Sequence, residues 1–300
     1  MLGEREDKRP PLTIIIGGHG FVGSAVAHLL KGSGFQISTP SKIQLDITSF
    51  NSIKRFFLRK MPLIIVNFAS FTDIQEAEKQ RADKKASAWR LNVGGTKKIS
   101  SACKKFNVFL IHISTDGVFT GFKEDKGPYW ETSTPIDNSK NLSWYGYTKL
   151  KGEKEVIKSK TKFAIIRISY PFGNPNSEKD FLIKTIKYIK SGTPFYIDQF
   201  FTPTFIPDLA EAIEKISLLK KVGIYHVVCN KITTPYKFAL YTARKMKLKD
   251  TINKMQIEEY LKNPRSIKRS QYATLSNKKT QKILHQRFHD WREAIDGLYY

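Results

Sequence analysis

Three polar side chains of this sequence stand at a spacing that suits the chemistry of a carbonyl group. Tyr145 and Lys149 are four residues apart in a run with helical periodicity, and Thr115 ends an apolar run thirty residues before Tyr145. Residues four apart lie on one face of a helix, so the phenol and the ammonium point the same way. A phenol has a pKa of about 10, and a neighbouring positive charge is expected to lower it. We therefore predict that Tyr145 protonates a carbonyl oxygen held by the Thr115 hydroxyl, with Lys149 tuning the phenol.

Tyr147 is the nearest competitor for the role of acid. It lies two positions from Tyr145 and therefore faces another side of the helix. A tyrosine followed by a lysine four positions later is common on helices and by itself has only a structural meaning. The catalytic interpretation therefore depends on a second motif, a glycine turn near the N-terminus.

The glycine turn has the spacing Gly17-x-x-Gly20-x-x-Gly23 and lies between an apolar run and a helical run. In this position Gly17 permits a tight turn, Gly20 leaves room for a pyrophosphate, and Gly23 lets the helix pack against the strand. The helix N-terminus then offers N–H groups and a positive dipole to phosphates. The pattern predicts a dinucleotide cofactor, and the alternative is a glycine-rich turn that serves only the fold.

The residues after the second predicted strand indicate which dinucleotide binds. An acidic residue that would hold the ribose hydroxyls of NAD is missing from Ser38-Thr39-Pro40-Ser41-Lys42. The Thr39 hydroxyl and the Lys42 ammonium suit a 2′-phosphate better, which favours NADPH, with NADH as the alternative. Asp46 follows, and it either accepts a hydrogen bond from the adenine amine or caps the next helix.

The elements that must position these residues alternate along the chain between apolar and amphipathic runs. We predict strands over 12–17, 35–39, 62–67, 107–113, 163–168 and 223–229, and helices over 20–32, 48–60, 83–105, 143–160 and 207–220. The strands are continuously apolar, as strands buried on both faces of a parallel sheet are. The alternation predicts an α/β fold, a Rossmann-type doubly wound parallel sheet with right-handed crossovers.

Segments rich in aromatic residues, prolines and polar turns interrupt this rhythm, at 116–142, 170–206 and 231–300. We predict a NAD(P)-binding Rossmann domain over 1–168, to which 200–230 returns. A smaller, mixed C-terminal domain over 169–300 is predicted to bind the substrate.

Composition argues against several classes of protein. The chain has 300 residues and two cysteines, Cys103 and Cys229, whose spacing excludes a disulfide framework and a thiolate zinc site. We predict no metal site. The apolar stretch at 12–30 contains the glycine turn, and its uninterrupted apolar part is too short to span a membrane. Residues 1–11 are charged and proline-rich and are expected to be frayed.

The formal net charge of +24 invites a nucleic-acid interpretation. The lysines recur at helix-face spacing, as in Lys184, Lys187 and Lys190, which is typical of a solvated face. No helix-turn-helix, zinc-finger or aromatic RNA-binding motif is visible. We therefore predict a cytoplasmic protein with no nucleic-acid and no membrane partner, whose charge helps to attract an anionic nucleotide or nucleotide sugar.

Blocks of sequence typical of one enzyme family run along nearly the whole chain. The first are the glycine turn, Leu45-Asp46-Ile47-Thr48, Val66-Asn67-Phe68-Ala69-Ser70-Phe71-Thr72, Leu91-Asn92-Val93 and Ile113-Ser114-Thr115-Asp116. Later blocks are Pro128-Tyr129, Tyr145-Gly146, Lys149-Leu150, Gly152-Glu153, Arg167-Ile168-Ser169-Tyr170, Pro203-Thr204 and Asp290-Trp291-Arg292-Glu293-Ala294. In these blocks the chain resembles the extended short-chain dehydrogenase/reductases, and more narrowly the dTDP-4-dehydrorhamnose reductases.

The resemblance implies roles for individual residues. The implied catalytic set is Thr115, Tyr145 and Lys149. The implied cofactor site consists of Gly17, Gly20, Phe21, Val22, Gly23, Asp46, Ile47, Phe68, Ala69, Ser70, Tyr145 and Lys149. The implied substrate contacts are Thr115, Asp116 and Tyr170, the last at a position where the family often has Trp. Asn92 is implied to be a structural partner behind the site.

The reaction that the resemblance implies is reduction of the C4 keto group of a nucleotide-linked 4-keto-6-deoxy sugar, in deoxysugar or polysaccharide biosynthesis. The implied partner is the nucleotide sugar, and a homodimer is the candidate assembly. Departures from the family pattern are expected close to cofactor or substrate, with Gly117 replacing Tyr, Phe68 replacing a small residue and Gln75 replacing an acidic one.

Two alternatives share the same fold. One is a nucleotide-sugar 4-epimerase, which returns the hydride instead of releasing the oxidised cofactor. The other is a non-catalytic NADP-binding regulatory subunit, like that of methionine adenosyltransferase. The complete set of Thr115, Tyr145 and Lys149 argues against the second, since a protein that only binds NADP has no need of a proton donor.

Overall fold

A six-stranded parallel sheet forms the centre of the protein. The computed structural model describes residues 12–262 and 266–298, and the expectation for residues 1–11 lies outside them. In chain order the strands are β1 (Thr13–Ile16), β2 (Ile37–Ser38), β3 (Ile64–Asn67), β4 (Phe109–Thr115), β5 (Phe163–Ile168), β6 (Pro171–Phe172), β7 (Phe195–Tyr196), β8 (Thr204–Phe205), β9 (Gly223–His226) and β10 (Lys254–Met255). The central sheet has the order β2-β1-β3-β4-β5-β9, and every pairing in it is parallel.

Helices cover both faces of this sheet. They are α1 (Phe21–Gly32), α2 (Phe50–Lys60), α3 (Ile74–Lys79), α4 (Ser87–Trp89), α5 (Thr96–Lys105), α6 (Trp144–Lys158), α7 (Phe181–Lys190), α8 (Ile206–Leu219), α9 (Pro235–Lys245), α10 (Ile257–Leu261), α11 (Lys278–Leu284) and α12 (Trp291–Gly297). Alternate side chains of one strand point to opposite faces of the sheet, because strand side chains have a period of two. Ile15 packs in the core with α1 and α8, and Ile14 packs in the core with α2 and α5. The predicted Rossmann-type sheet is confirmed.

The differences from the predicted elements are mostly at their ends. Only Ile37–Ser38 of the predicted strand 35–39 pairs in the sheet, where it forms the edge. The predicted helix 83–105 begins at Ser87 and is interrupted by a π-helical turn over Arg90–Gly95. Helix α3 was not predicted, because its six residues are too few to display a helical period.

The remaining elements gather around a second core that is rich in aromatic residues. Phe172, Phe201, Phe238 and Trp291 are buried together there, and α7, α9 and α12 contribute to the surroundings. Two short sheets, β6-β8 and β7-β10, belong to this part, while β9 joins the central sheet next to β5. Domain limits at 168 and 169 stay a prediction.

The structure provides one observation on membranes. Within residues 12–262 and 266–298, no helix combines the length and the apolar character that crossing a bilayer requires. The apolar stretch at 12–30 is instead a buried strand, a turn and an amphipathic helix.

Candidate active site

A cavity of about 650 Å³ opens at the carboxyl ends of the central strands. Its wall includes Gly17 after β1, Phe68 after β3, Thr115 at the end of β4 and Ile168 at the end of β5. The chain passes from β1 to β2 on one side and then to β3 on the other side of β1, so the topology reverses there. Ligands of open α/β sheets bind at such a reversal.

The glycine turn forms the part of the wall above β1. Gly17 has φ +78°, a conformation that side chains rarely adopt, and a Cβ there would lie 2.8 Å from the Ala69 nitrogen. A Cβ on Gly23 would overlap the Gly17 carbonyl oxygen, so only glycine lets α1 approach the turn. A Cβ on Gly20 would have one neighbour within 4 Å among the described residues, the Gly17 oxygen at 3.2 Å. The turn is therefore crowded on its protein side and open toward the cavity at Gly20.

The start of α1 has the properties of an anion site. Gly20 is its N-cap, and no side chain among the described residues caps it. Gly20, Phe21, Val22 and Gly23 all line the cavity. The N–H groups of a first helical turn have no partner within the helix, so they are available to a phosphate.

Thr115, Tyr145 and Lys149 line the same cavity. Thr115 ends β4, whereas Tyr145 and Lys149 lie one turn apart on α6, whose N-cap is Ser143. The Thr115 hydroxyl is close enough to the Tyr145 phenol to influence its pKa. Tyr147 lies instead against the rings of Trp89 and Trp144. The fold thus brings together residues that are thirty positions apart and directs Tyr147 elsewhere.

Lys149 is buried, and its Nζ donates to the backbone carbonyl of Ile113 at 2.6 Å. Burial lowers the pKa of Lys149 from 10.5 to about 8, and the Glu153 carboxylate one turn away opposes this shift. The pKa of Tyr145 is raised, first by burial and then by the Asp116 carboxylate, while the nearby Thr115 hydroxyl opposes this shift. In the protein without cofactor the pKa of Tyr145 is therefore raised, because desolvation disfavours the phenolate. A lowering of this pKa by Lys149 together with a positive nicotinamide ring stays a prediction for the complex with cofactor.

Asp116 connects the Thr115 hydroxyl to the next strand. The Thr115 hydroxyl donates to Asp116 Oδ1 at 2.9 Å, and the Ser169 hydroxyl donates to Oδ2 at 2.6 Å. Burial raises the pKa of Asp116 to about 6, although these hydrogen bonds lower it. The backbone N–H of Gly117 donates to the Thr115 hydroxyl oxygen at 3.1 Å. Thr115 is therefore held in one orientation, and its proton is engaged with Asp116 rather than free for a substrate.

Tyr170 lines the cavity where the cavity meets the second, aromatic core. Its φ is +41°, and its ring packs against those of Phe181 and Phe201. The Gln199 amide donates to its hydroxyl at 3.4 Å. Burial, followed by the negative charge of Asp116, raises the pKa of Tyr170 to about 12, so this phenol remains protonated near neutral pH.

Asn92 supports the site from behind. It lies on the π-helical turn, a feature frequent at functional sites. Its Oδ1 accepts from the Phe71 N–H at 2.7 Å and from the Ser70 hydroxyl at 3.0 Å. Its Nδ2 donates to the Thr148 hydroxyl at 2.9 Å. Asn92 therefore joins the loop after β3 to the helix that carries Tyr145 and Lys149.

Several residues of the predicted cofactor site lie outside the cavity wall. Phe68, Ala69 and Ser70 line the cavity, and Thr39, Lys42, Asp46 and Ile47 do not. A Cβ on Gly18 would lie 2.8 Å from the Thr39 Cβ, so Thr39 is directly behind the turn. Lys42 is exposed.

Asp46 and Ile47 have structural partners of their own. Asp46 accepts two hydrogen bonds from Thr48 at 2.8 Å, and Ser49 is the residue that caps α2. The alternative in which Asp46 caps that helix is therefore wrong. The Ile47 side chain is in the core, where a Cβ on Gly95 would lie 2.9 Å from it. Contacts of Asp46 and Ile47 with a cofactor stay predictions.

The far wall of the cavity contains four cations, Lys179, Lys184, Lys268 and Arg269. Lys184 was predicted to belong to a solvated face, and the sequence gave no functional prediction for the other three. The Arg269 guanidinium lies over the ring of Tyr260 at 5.0 Å. These residues come from segments without strand-helix alternation, so their position in sequence gave no signal. The three departures from the family pattern, Gly117, Phe68 and Gln75, also line the cavity.

Comparisons with known proteins agree with this geometry. The family model described as the RmlD substrate binding domain matches residues 12–299. The spore coat polysaccharide biosynthesis protein SpsK of Bacillus subtilis is 31% identical over 94% of both chains. The dTDP-4-dehydrorhamnose reductase of Aggregatibacter actinomycetemcomitans is 27% identical over 95% of this chain and 97% of that one.

Solved structures provide a second comparison. The crystal structure of a dTDP-4-dehydrorhamnose reductase ortholog from Clostridium acetobutylicum superposes with a TM-score of 0.84 at 29% identity, covering 96% of this chain and 98% of the other. The dTDP-4-dehydrorhamnose reductase of Bacillus anthracis, solved in complex with NADP, has a TM-score of 0.85 at 24% identity over 97% and 99% of the chains. At 24% identity, the similarity to the Bacillus anthracis structure supports the assignment of the fold alone.

Proposed function

The chain belongs to the RmlD substrate binding domain family, and from this membership we propose that it is an NADPH-dependent reductase. Its substrate is a nucleotide-linked 4-keto-6-deoxy sugar, as in the dTDP-4-dehydrorhamnose reductases, and its product serves deoxysugar or polysaccharide biosynthesis. The observation that carries the proposal is that one cavity is lined by the glycine turn and by Thr115, Tyr145 and Lys149.

The residues around the glycine turn suit a dinucleotide. The open side of Gly20 admits a pyrophosphate, and the uncapped start of α1 supplies N–H donors to it. Thr39 and Lys42 follow β2, at the position where this type of fold binds the adenosine ribose of a dinucleotide. The Thr39 hydroxyl and the Lys42 ammonium suit the 2′-phosphate of NADPH. NADH is the alternative cofactor. When bound, the reduced nicotinamide supplies the hydride.

Tyr145 supplies the proton. As hydride reaches C4, the negative charge develops on the carbonyl oxygen, and Tyr145 transfers its phenolic proton there, so that an alcohol forms and a phenolate remains. The raised pKa of Tyr145 keeps the phenol protonated until that moment. The Lys149 ammonium, which donates to the Ile113 carbonyl and lines the same cavity, then stabilises the phenolate left behind.

Thr115 positions the reacting groups. Because its own proton goes to Asp116 and its oxygen accepts the Gly117 N–H, its hydroxyl is held in one orientation at the wall of the cavity that Tyr145 also lines. Asp116, Ser169 and Tyr170 then offer polar contacts to the sugar hydroxyls. The cations of the far wall, among them Lys184 and Arg269, are suited to the diphosphate of a nucleotide sugar.

The oligomeric state and the cellular location of the protein remain predictions. We expect a homodimer in the cytoplasm.

The test of the proposal is incubation of the purified protein with NADPH and a panel of 4-keto nucleotide sugars. We expect NADPH oxidation with at least one dTDP-linked 4-keto-6-deoxy sugar and a C4 hydroxyl in the product. Tight NADPH binding without turnover of any sugar would favour a regulatory subunit. Interconversion of C4 epimers without net oxidation of NADPH would favour an epimerase.

A further inference from the structure

The edge of the central sheet opposite the cavity carries an unusual surface. Parallel strands all begin at this edge, and the helices that precede them end there. We call the five connecting turns together the basal face, defined as residues 31–36, 58–63, 104–108, 157–162 and 218–222. They lie before β2, β3, β4, β5 and β9, so the sheet order places them in one row across about 24 Å at about 4.8 Å per strand.

The charge of the basal face has one sign. It contains ten exposed cations and no Asp or Glu, the cations being Lys31, Arg59, Lys60, Lys104, Lys105, Lys158, Lys160, Lys162, Lys220 and Lys221. None of the ten forms an ion pair with a described residue. The prediction of scattered, solvated lysines overlooked this row, because it exists only where the fold brings five distant turns together.

Apolar side chains project from the same turns. Seven of the sixteen large apolar side chains exposed among the described residues are here, on about a tenth of the chain, namely Leu58, Met61, Leu63, Ile157, Leu218, Leu219 and Val222. Met61 is 77% exposed and Val222 is 61% exposed. Scattered apolar residues need no explanation, but a group of them within one surface indicates an interaction site.

Helix dipoles explain only part of the cationic and apolar composition of the basal face. The C-terminal ends of α1, α2, α5, α6 and α8 carry negative partial charges, which favour lysine or arginine in the last helical turn. Lys160, Lys162 and Lys221 lie beyond the helices, where this effect fades. The helix dipoles also give no reason for exposed leucine, methionine or valine.

We propose that the basal face docks on a membrane surface that contains anionic lipid. Lysines are attracted to the negative headgroups, and apolar side chains that project among them enter the boundary between headgroups and acyl chains. A second copy of this chain is a poor occupant, since two such faces would bring like charges together. A nucleic acid would engage the lysines, but it would leave the seven apolar side chains unused.

The position of the face agrees with the proposed function without depending on it. The cavity opens at the carboxyl ends of the strands and the basal face lies at their amino ends, so a docked molecule keeps its cavity toward solvent. The inference revises the expectation of no membrane partner. Docking of this kind is peripheral and needs no spanning helix.

The test measures co-sedimentation of the full chain with phosphatidylcholine vesicles, with and without phosphatidylglycerol, in the absence of NADPH and sugar. The charge variant is Lys105→Glu/Lys162→Glu/Lys221→Glu, and its control is Lys187→Glu/Lys237→Glu/Lys249→Glu, three exposed lysines elsewhere with the same change in net charge. We expect binding only with phosphatidylglycerol. The charge variant should lose at least about a hundredfold in partition constant, since each lysine contributes about fivefold, and the control should lose much less.

An apolar variant separates a membrane from other polyanions. Met61→Asn/Leu219→Ser/Val222→Ser keeps every charge, and Asn suits the left-handed backbone of Met61. We expect it to lose about tenfold or more in vesicle binding. Thermal unfolding like that of the wild type shows that each variant is folded.

Three outcomes would overturn the proposal. One is no binding to phosphatidylglycerol vesicles by the wild-type protein. Another is an equal loss in the charge variant and its control, which indicates an effect of net charge alone. The third is unchanged vesicle binding by the apolar variant together with tight, salt-sensitive binding of duplex DNA, which indicates a nucleic-acid surface.

Discussion

The Lys149 ammonium is held 2.6 Å from the backbone carbonyl oxygen of Ile113, near the end of the strand that Thr115 completes. This contact fixes the lysine relative to the sheet rather than to its own helix. It also directs one donor of a buried ammonium into the protein and leaves the rest of the group beside the cavity wall. Because burial lowers the pKa of Lys149 only to about 8, with the Glu153 carboxylate opposing the shift, the ammonium remains charged at neutral pH inside the protein.

The first prediction concerns alkaline pH. Because burial lowers the pKa of Lys149 from 10.5 to about 8, the folded protein loses this charge between pH 8 and 10.5 while the unfolded chain keeps it. We expect kcat/KM to fall above about pH 8. In the same window the contribution of Lys149 to folding stability rises with pH, because the unfolded state binds more protons. Lys149→Arg, which stays charged, should be slow but should lack this alkaline decline, and a decline at the same pH would remove Lys149 from the explanation.

The second prediction concerns the proton donor. Tyr145→Phe removes the phenolic hydroxyl and keeps the ring, so NADPH binding should change little. The rate of sugar reduction should fall by about 10²–10⁴-fold, the usual contribution of a general acid. Tyr147→Phe is the matched control, since that ring packs against Trp144 away from the cavity. A Tyr145→Phe protein that retains more than about a tenth of wild-type activity would argue against the proton role.

The third prediction concerns the glycine turn. Gly20 is open toward the cavity, so Gly20→Val should fold but fill the space of the pyrophosphate. We expect NADPH affinity, measured by fluorescence titration, to fall by at least about a hundredfold, in line with the loss of a helix N-terminal phosphate site. Gly32→Val, at the exposed end of the same helix, is the control and should bind normally. Unchanged affinity in Gly20→Val would contradict the assignment of this turn.

The fourth prediction concerns cofactor preference. Lys42 is exposed after β2, on the same side as the glycine turn. Lys42→Asp should repel a 2′-phosphate and accept the free ribose hydroxyls of NADH, shifting the ratio of kcat/KM values toward NADH by about tenfold or more. Lys60→Asp, at the other edge of the sheet, makes the same charge change and should leave the ratio unaltered. An equal shift in both variants would mean that only net charge matters.

The fifth prediction concerns stability. Arg167 and Glu153 form a buried pair with contacts of 2.8 and 3.0 Å, and their side chains are 1% and 2% exposed. Glu153→Gln leaves a buried guanidinium without its countercharge and should lower the free energy of unfolding by about 3–5 kcal/mol. The double variant Glu153→Leu/Arg167→Met should recover most of this loss in urea unfolding. A double variant as unstable as the single one would show that packing, rather than charge, is decisive.

The local sequence predicted those features of the fold and of the site that depend on residues close together in the chain. The apolar runs specify strands buried on both faces, and the turn Gly17-x-x-Gly20-x-x-Gly23 fits its place because backbone contacts exclude a Cβ at Gly17 and Gly23. The one-turn spacing of Tyr145 and Lys149 places both on the cavity side of α6. These features follow from helix and strand periodicity, which any window of sequence displays.

The pKa of Tyr145, the hydrogen bond from Thr115 to Asp116, the cations of the far wall and the basal face could not be predicted in this way. Each depends on groups distant in sequence, such as Ser169 beside Asp116, or on burial that a local window does not reveal. The sequence by itself therefore determined the order of elements and the identity of the reacting groups. Only the tertiary structure decided their electrostatic environment and which charges share a surface, because desolvation and charge proximity depend on distances in space rather than along the chain.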